Sequence, residues 1–191
     1  MPAPFLTSRQ SASAYAREKL MEKPLFLDTE TTGLERDAEI VEISIIDDDE
    51  NCVFESFVRP SRKIPASATR LHSITDEMVA TARPWPTIWP VIRSLLIGRV
   101  LVIYNAEFDL RLMQQSHAAY RLPWRENLQA VCAMQLYGQY RGEWDKVRKA
   151  YRYYKLEEAG QYCKISLPNA HRARADALLA RAVFHYMAEN N

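Results

Sequence analysis

In the segment FLDTETTG, residues 26 to 33, two carboxylates, Asp28 and Glu30, stand two positions apart inside an apolar run. If that run is a strand, alternation turns both side chains to one face with their Cα atoms about 6.5–7 Å apart. From that spacing two carboxylates can converge on a pair of metal ions about 3.5–4 Å apart. Without an ion, two like charges at the end of a buried strand each need a partner in a poorly solvated place. The competing reading is a frayed edge strand with both acids in water.

Two further stretches add acids of the same kind. In YNAEFDLRLM, Asp109 sits on a segment that reads as a helix after a buried strand, four residues beyond Asn105 and on nearly the same face. Taken alone it could equally face solvent beside Arg111. In HRARAD, Asp176 shares a helical stripe with Leu179, Ala180, Val183 and Met187, so it belongs to the packed face and requires a partner there. His171 precedes it by five residues, which on one unbroken helix would turn it about 140° away. The loop just before the helix is therefore its expected place. His72, His117 and His185 read as ordinary, partly buried histidines.

The elements that must hold these groups follow from periodicity. Residues up to about Glu22 form either an ordered helix or a frayed arm. From Pro24, LFLDTE, EIVEISIIDD and CVFESFV are three β-prone runs that suit an antiparallel meander. Residues 65 to 98 carry prolines and short helical patterns. RVLVIY then reads as a buried strand, and NAEFDLRLMQQSH as a helix with Asn105 at its N-cap. A weaker strand over AVCAMQ, helices around LYGQY and KLEEAGQYC, and a final helix from HRARAD onward complete a mixed α/β sheet covered by helices.

The chain has 191 residues, 48% apolar and 26% charged, the profile of one globular domain without low-complexity or disordered character. No apolar run approaches the ~18 residues of a membrane helix, and residues 1 to 22 lack a signal-peptide core, so a cytoplasmic protein without a membrane partner is expected. Cys52, Cys132 and Cys163 are far apart with no Cys-x-x-Cys pair, and read as reduced core residues. The 25 basic and 24 acidic side chains nearly cancel. If four of those acids are committed to metal, the remaining surface is modestly basic.

Together, Asp28, Glu30, Asp109 and Asp176 from three separated segments, with His171 five residues before the last, resemble the DEDDh class of 3′-to-5′ exonucleases on the ribonuclease-H-like fold. FLDTETTGL is similar to the first motif of that family, YNAEFD to the second, and HRARAD to the third. LHSITDEMV at 71 to 79 resembles a stretch that commonly carries glycine where this chain has Ser73. The resemblance spans about Pro24 to Met187 and implies an exonuclease domain at 23–191 behind an extension at 1–22. Its implied sheet is a three-strand meander plus parallel strands, flanked by helices.

By the same resemblance two divalent ions, Mg²⁺ or Mn²⁺, are the cofactors, in keeping with hard oxygen ligands and no sulfur or multi-histidine cluster. Asp28 is expected to bridge them, Glu30 and Asp176 to bind the ion that holds the nucleophilic water, Asp109 to act on the other, and His171 to be the general base. Backbone amides of Thr31 and Gly33 correspond to those that meet a terminal 3′-hydroxyl. Leu34 and Ile74 occupy positions used to wedge against the last base, and Phe108 either supports the neighbouring base or packs in the core.

The implied partner is nucleic acid, with DNA 3′ ends preferred and RNA trimming as the alternative within the same superfamily. A non-catalytic end-binding module is the alternative from another class, opposed by four clustered negative charges that would hinder phosphate binding without metal. The resemblance admits a homodimer, although no stripe in the sequence decides it. Because the chain ends soon after the third motif, a free-standing exonuclease is expected. Finally, EWDKVRKAYRYYK at 143 to 155 interleaves basic residues with rings, which suits either a single-strand track or a solvated helix face with tyrosines beneath it.

Overall fold

The computed structural model describes residues 7–165 and 171–191. Helix α1 (Ser8–Met21) opens on a capping box, in which the Thr7 hydroxyl accepts from the Gln10 amide at 3.2 Å and the Gln10 side chain accepts from the Thr7 amide at 3.0 Å. This satisfies two orphan donors of the first turn. The helix then presents small side chains, Ala12, Ser13 and Ala16, to the rest of the chain. Ser8–Met21 are therefore an ordered helix rather than an arm, and residues 1–6 of that stretch lie outside the described residues.

Strands β1 (Leu25–Thr31), β2 (Ile40–Ile46) and β3 (Cys52–Phe57) form the antiparallel meander. Short helices α2 (Ala66–His72) and α3 (Asp76–Val79) and the longer α4 (Trp85–Leu96) lead to β4 (Val100–Ile103), which lies parallel to β1. Helix α5 (Ala106–Ala119) connects to β5 (Gln129–Cys132), parallel to β4, and α6 (Ala133–Arg141) follows at once. A small hairpin of β6 (Trp144–Asp145) and β7 (Ala150–Tyr151), then α7 (Leu156–Tyr162) and α8 (Ala173–Glu189), complete the described elements. The main sheet runs β3-β2-β1-β4-β5, so the expected meander plus parallel strands, flanked by helices, is what forms.

Strand alternation divides the interior in two. Phe26, Val102 and Tyr104 on one face cluster with Val183, Phe184 and Met187 of α8 and with residues of α1, α6 and α7. Leu25, Leu27, Leu101 and Ile103 on the other cluster with Trp85 and Ile92 of α4 and Leu112 and Met113 of α5. Every residue of β2 is buried, and central β1 is buried except at Asp28, which is partly open. These strands accordingly read as apolar runs, interrupted by the carboxylates Asp28, Glu30 and Glu42 and a few hydroxyl residues.

Three sequence expectations need correction. Residues 143–155 are not a helix face: Trp144 pairs with Tyr151 and Asp145 with Ala150 in a hairpin, and Lys149 at φ 52° supplies the left-handed residue of its turn. Cys52 is exposed at the start of edge strand β3 instead of lying in the core, whereas Cys163 is buried. Asn105 stands at the N-cap of α5 but makes no side-chain cap bond. Among the described residues no helix is long and apolar enough to cross a membrane.

Candidate active site

Asp28 and Glu30 lie on the β1 face that looks toward α8, and Asp176 projects from the first turn of α8 to meet them. One carboxylate oxygen from each of the three lies within 4.8 Å of the others. Asp109 approaches from α5, which packs on the opposite face of the sheet. Its Oδ1 accepts a hydrogen bond from the Thr29 hydroxyl at 2.7 Å, and it is nearly inaccessible. The fourth acid thus stands outside that tight triad, tied to the residue between Asp28 and Glu30.

The electrostatics are those of crowded, largely buried carboxylates. Burial, joined by repulsion from Asp109, Asp176 and Glu30, pushes the Asp28 carboxyl well above the usual carboxylate range. Burial, then the charges of Asp176 and Glu42, lifts Glu30 to about 8. Asp109 is raised by burial to about 7 even though the Thr29 hydroxyl and backbone amides favour its anion. Asp176 is raised by burial to about 6, against the opposing influence of His171. An oxygen-only donor set with so much uncompensated charge fits hard divalent cations.

His171 lies just ahead of α8 at φ 64°, a conformation that is strained for a side-chain-bearing residue. Its backbone N–H donates to Asp176 Oδ2 at 3.2 Å, and its Nε2 is 3.6 Å from Glu157 Oε1 of α7. Immediately after it, Arg172 Nη2 and Nε donate to the Glu42 carboxylate at 2.6 and 3.1 Å, and the Ala173 amide donates to it at 3.0 Å. Glu42 sits on β2 directly across from Glu30, so this clamp places the start of α8 against the acid-bearing strand. Sequence reasoning missed Glu42. The signal was available: it is the one charged residue within IVEISII, and the same argument that singled out Asp28 and Glu30 applies to it.

The LHSIT segment is fastened by another buried side chain. His72 Nδ1 accepts from the Ile74 amide at 3.0 Å, which leaves Nε2–H to donate to the Thr31 carbonyl at 3.1 Å. Burial lowers the His72 pKa, in keeping with the neutral ring. His72 therefore couples α2 to the end of β1. Ser73 occupies the left-handed C-cap of α2 at φ 62°, which explains why glycine suits this position.

The remaining candidates separate by exposure. Leu34 is 73% exposed and Gly33 sits beside open space, with nothing within 4 Å of where a Cβ would stand. Thr31 is buried, and its hydroxyl donates to the Gly33 carbonyl at 2.9 Å. Phe108 packs half-buried on the α4/α5 cluster with the Arg111 guanidinium 5.4 Å from its ring centre. Ile74, expected to wedge against a base, is instead 0% exposed, enclosed with Val41, Ile64, Ala68 and Val79. Its apolar character belongs to that small core.

A family model described as Exonuclease, of the RNase T group, matches residues 25–184. An uncharacterized exonuclease, CP81, of Escherichia phage 186 is 40% identical over 183 residues, covering 93% of this chain and 94% of that protein. The structure of exonuclease X in complex with 5′ overhanging duplex DNA superposes with a TM-score of 0.64 at 28% identity, over 87% of this chain and 92% of the other. The nuclease domain of 3′hExo, a DEDDh family member bound to rAMP, reaches a TM-score of 0.71 over 88% and 93% of the two chains. At 16% identity that likeness speaks to the fold alone.

Proposed function

This chain belongs to the exonuclease family, and we propose that it acts as a DEDDh-class enzyme that removes nucleotides from the 3′ end of DNA strands, releasing nucleoside 5′-monophosphates. The observation that carries this reading is the convergence of Asp28, Glu30 and Asp176 within 4.8 Å, with Asp109 held beside them by Thr29. Asp28, Glu30 and Asp176 would hold one divalent ion, and Asp28 with Asp109 a second. When bound, Mg²⁺ or Mn²⁺ supplies positive charge opposite the phosphate oxygens and acidifies water.

The chain's own groups do the rest. His171 takes the proton from the attacking water, a task suited to an imidazole whose unperturbed pKa is about 6.5. Its left-handed loop position, with the backbone N–H on Asp176 Oδ2, supports that role. Backbone amides at Thr31 and Gly33 receive the terminal 3′-hydroxyl, and the open space beside Gly33 leaves room for that approach. Exposed Leu34 wedges against the last base and Phe108 supports the next. Single-stranded ends suit these contacts because apolar stacking tolerates any base.

The test is direct. DNA and RNA strands labelled at the 3′ or the 5′ end are incubated with Mg²⁺, Mn²⁺ or a chelator. The expected result is metal-dependent release of 3′-labelled mononucleotide, faster from DNA, while 5′-labelled strands shorten stepwise. Internal cuts, release from the 5′ end, or undiminished hydrolysis in chelator would overturn the reading.

A further inference from the structure

The hairpin at residues 143–155 carries exposed rings and charges outside the acidic site, although Trp144 also packs edge-to-face on its cross-strand partner Tyr151 with ring centres 5.0 Å apart. Trp144 and Tyr153 are 53% and 48% exposed. Both acids of the stretch are already engaged: Glu143 faces Arg141 and Arg152 at 3.2 and 3.3 Å, and Asp145 accepts from the Val147 and Arg148 amides of the turn at 2.8 and 3.0 Å. Lys146, Lys149 and Lys155 enter no ion pair among the described residues. A cationic rim with half-exposed aromatic rings therefore stands in water.

The hairpin is held in a defined place. A Cβ on Gly138 of α6 would come within 2.6 Å of the Arg152 carbonyl, so this glycine admits a close approach of the two backbones. At the other end, the Tyr104 hydroxyl donates to the carbonyls of Tyr154 and Lys155 at 3.0 and 3.2 Å. Tyr104 closes β4 just ahead of the helix that carries Asp109, and Glu157, two residues past Lys155, faces His171. The hairpin thus abuts the elements of the acidic site on both sides.

Two depressions of about 490 Å³ each meet at Tyr153. One runs beneath Trp144 and Tyr151 along the open edge of β5, and the other reaches from Tyr153 and Lys155 to Tyr104 and Asn105. We propose that this hairpin and the groove it shares with β5 and Asn105 form a track for the unpaired nucleotides that lie upstream of the strand end held in the active site. The inference rests on the exonuclease reading above. Charge complementarity selects the occupant: unpaired lysines offer contacts to successive phosphates, and Trp144 and Tyr153 offer faces to bases of any sequence.

Binding of fluorescent oligodeoxynucleotides of three and twelve residues, followed by anisotropy in chelator and in Ca²⁺, tests the track. Tyr153→Ala is expected to weaken the twelve-residue complex roughly five- to hundred-fold and to leave the three-residue complex within about twofold. Lys146→Gln with Lys149→Gln, two exposed changes that keep the turn, is expected to make the logarithmic salt dependence shallower by about 1.4, or 0.7 for each lost phosphate contact. Wild-type affinity and salt slope for the long strand in both variants would overturn the track, and so would equal losses for the two lengths. If wild-type protein shortens no labelled strand, the exonuclease reading itself fails. If it shortens strands while the variants bind the long strand normally, only the track fails.

Discussion

Arg172 and Glu42 form a two-pronged pair between the residue that caps α8 and the strand facing the acidic cluster, with Nη2 at 2.6 Å and Nε at 3.1 Å from the carboxylate oxygens. The same carboxylate accepts the Ala173 amide, so one buried anion both caps a helix and orients its first turn. Asp176 lies in that turn. The geometry of the site therefore depends on a residue outside it.

Glu42→Ala should destabilise the fold by about 2–3 kcal/mol, below the full cost of breaking a buried ion pair because Arg172 is partly exposed and can rehydrate. Divalent-ion affinity should fall with it, since Asp176 is no longer directed toward β1. Urea unfolding and Mn²⁺ titration measure the two effects. A variant with wild-type stability and wild-type ion binding contradicts the clamp.

The raised carboxyl groups predict a pH dependence with a definite sign. Glu30 at about 8, Asp109 at about 7 and Asp176 at about 6 bind protons more tightly in the folded chain than in the unfolded one. Their contribution to stability is complete below the ordinary carboxylate range and is lost as pH rises toward about 8. In chelator the melting temperature should decline from pH 5 to pH 8, and Mg²⁺ or Mn²⁺ should restore it most at the upper end. Asp28→Asn should flatten the decline and abolish hydrolysis. A melting temperature in chelator that rises across this interval refutes the assignment.

His171→Ala should lower turnover by about 10²–10⁴ while leaving Mn²⁺ affinity within a few-fold, because the side chain lies toward Glu157 rather than among the acids. Equal rates for mutant and wild type from pH 6 to 9 remove the imidazole from the reaction.

Ser73→Gly should stabilise the protein by about 1 kcal/mol, the relief of a left-handed serine less the added freedom of the unfolded chain. Ser73 is exposed and its amide still donates to the Thr69 carbonyl at 2.8 Å after the change. A lower urea midpoint in the variant shows that the serine hydroxyl contributes more than its backbone costs.

The order β1–β2–β3, the buried β4 and the helix carrying Asp109 were legible because alternation and helical spacing are local properties of Leu25–Thr31, Val100–Ile103 and Ala106–Ala119. The acidic set was legible for a related reason: a carboxylate inside an apolar run is anomalous wherever the chain goes. The hairpin at 144–151 was hidden, since its short strands carry too few residues for a period, and its pairing depends on the Gly138 contact with Arg152. Ile74 was misplaced because an apolar side chain reads identically whether it meets a base or a core.

Residue type and spacing alone thus determined which groups are candidates for chemistry and which faces of their elements they share. Tertiary structure alone decided that Asp109 reaches the others through Thr29 across the sheet, that Glu42 and Arg172 aim α8, and that His171 rests against Glu157. These are contacts between residues 80 to 130 positions apart or, for His171 and Glu157, between a loop and a separate helix. Such contacts depend on how elements pack, and no local period encodes them.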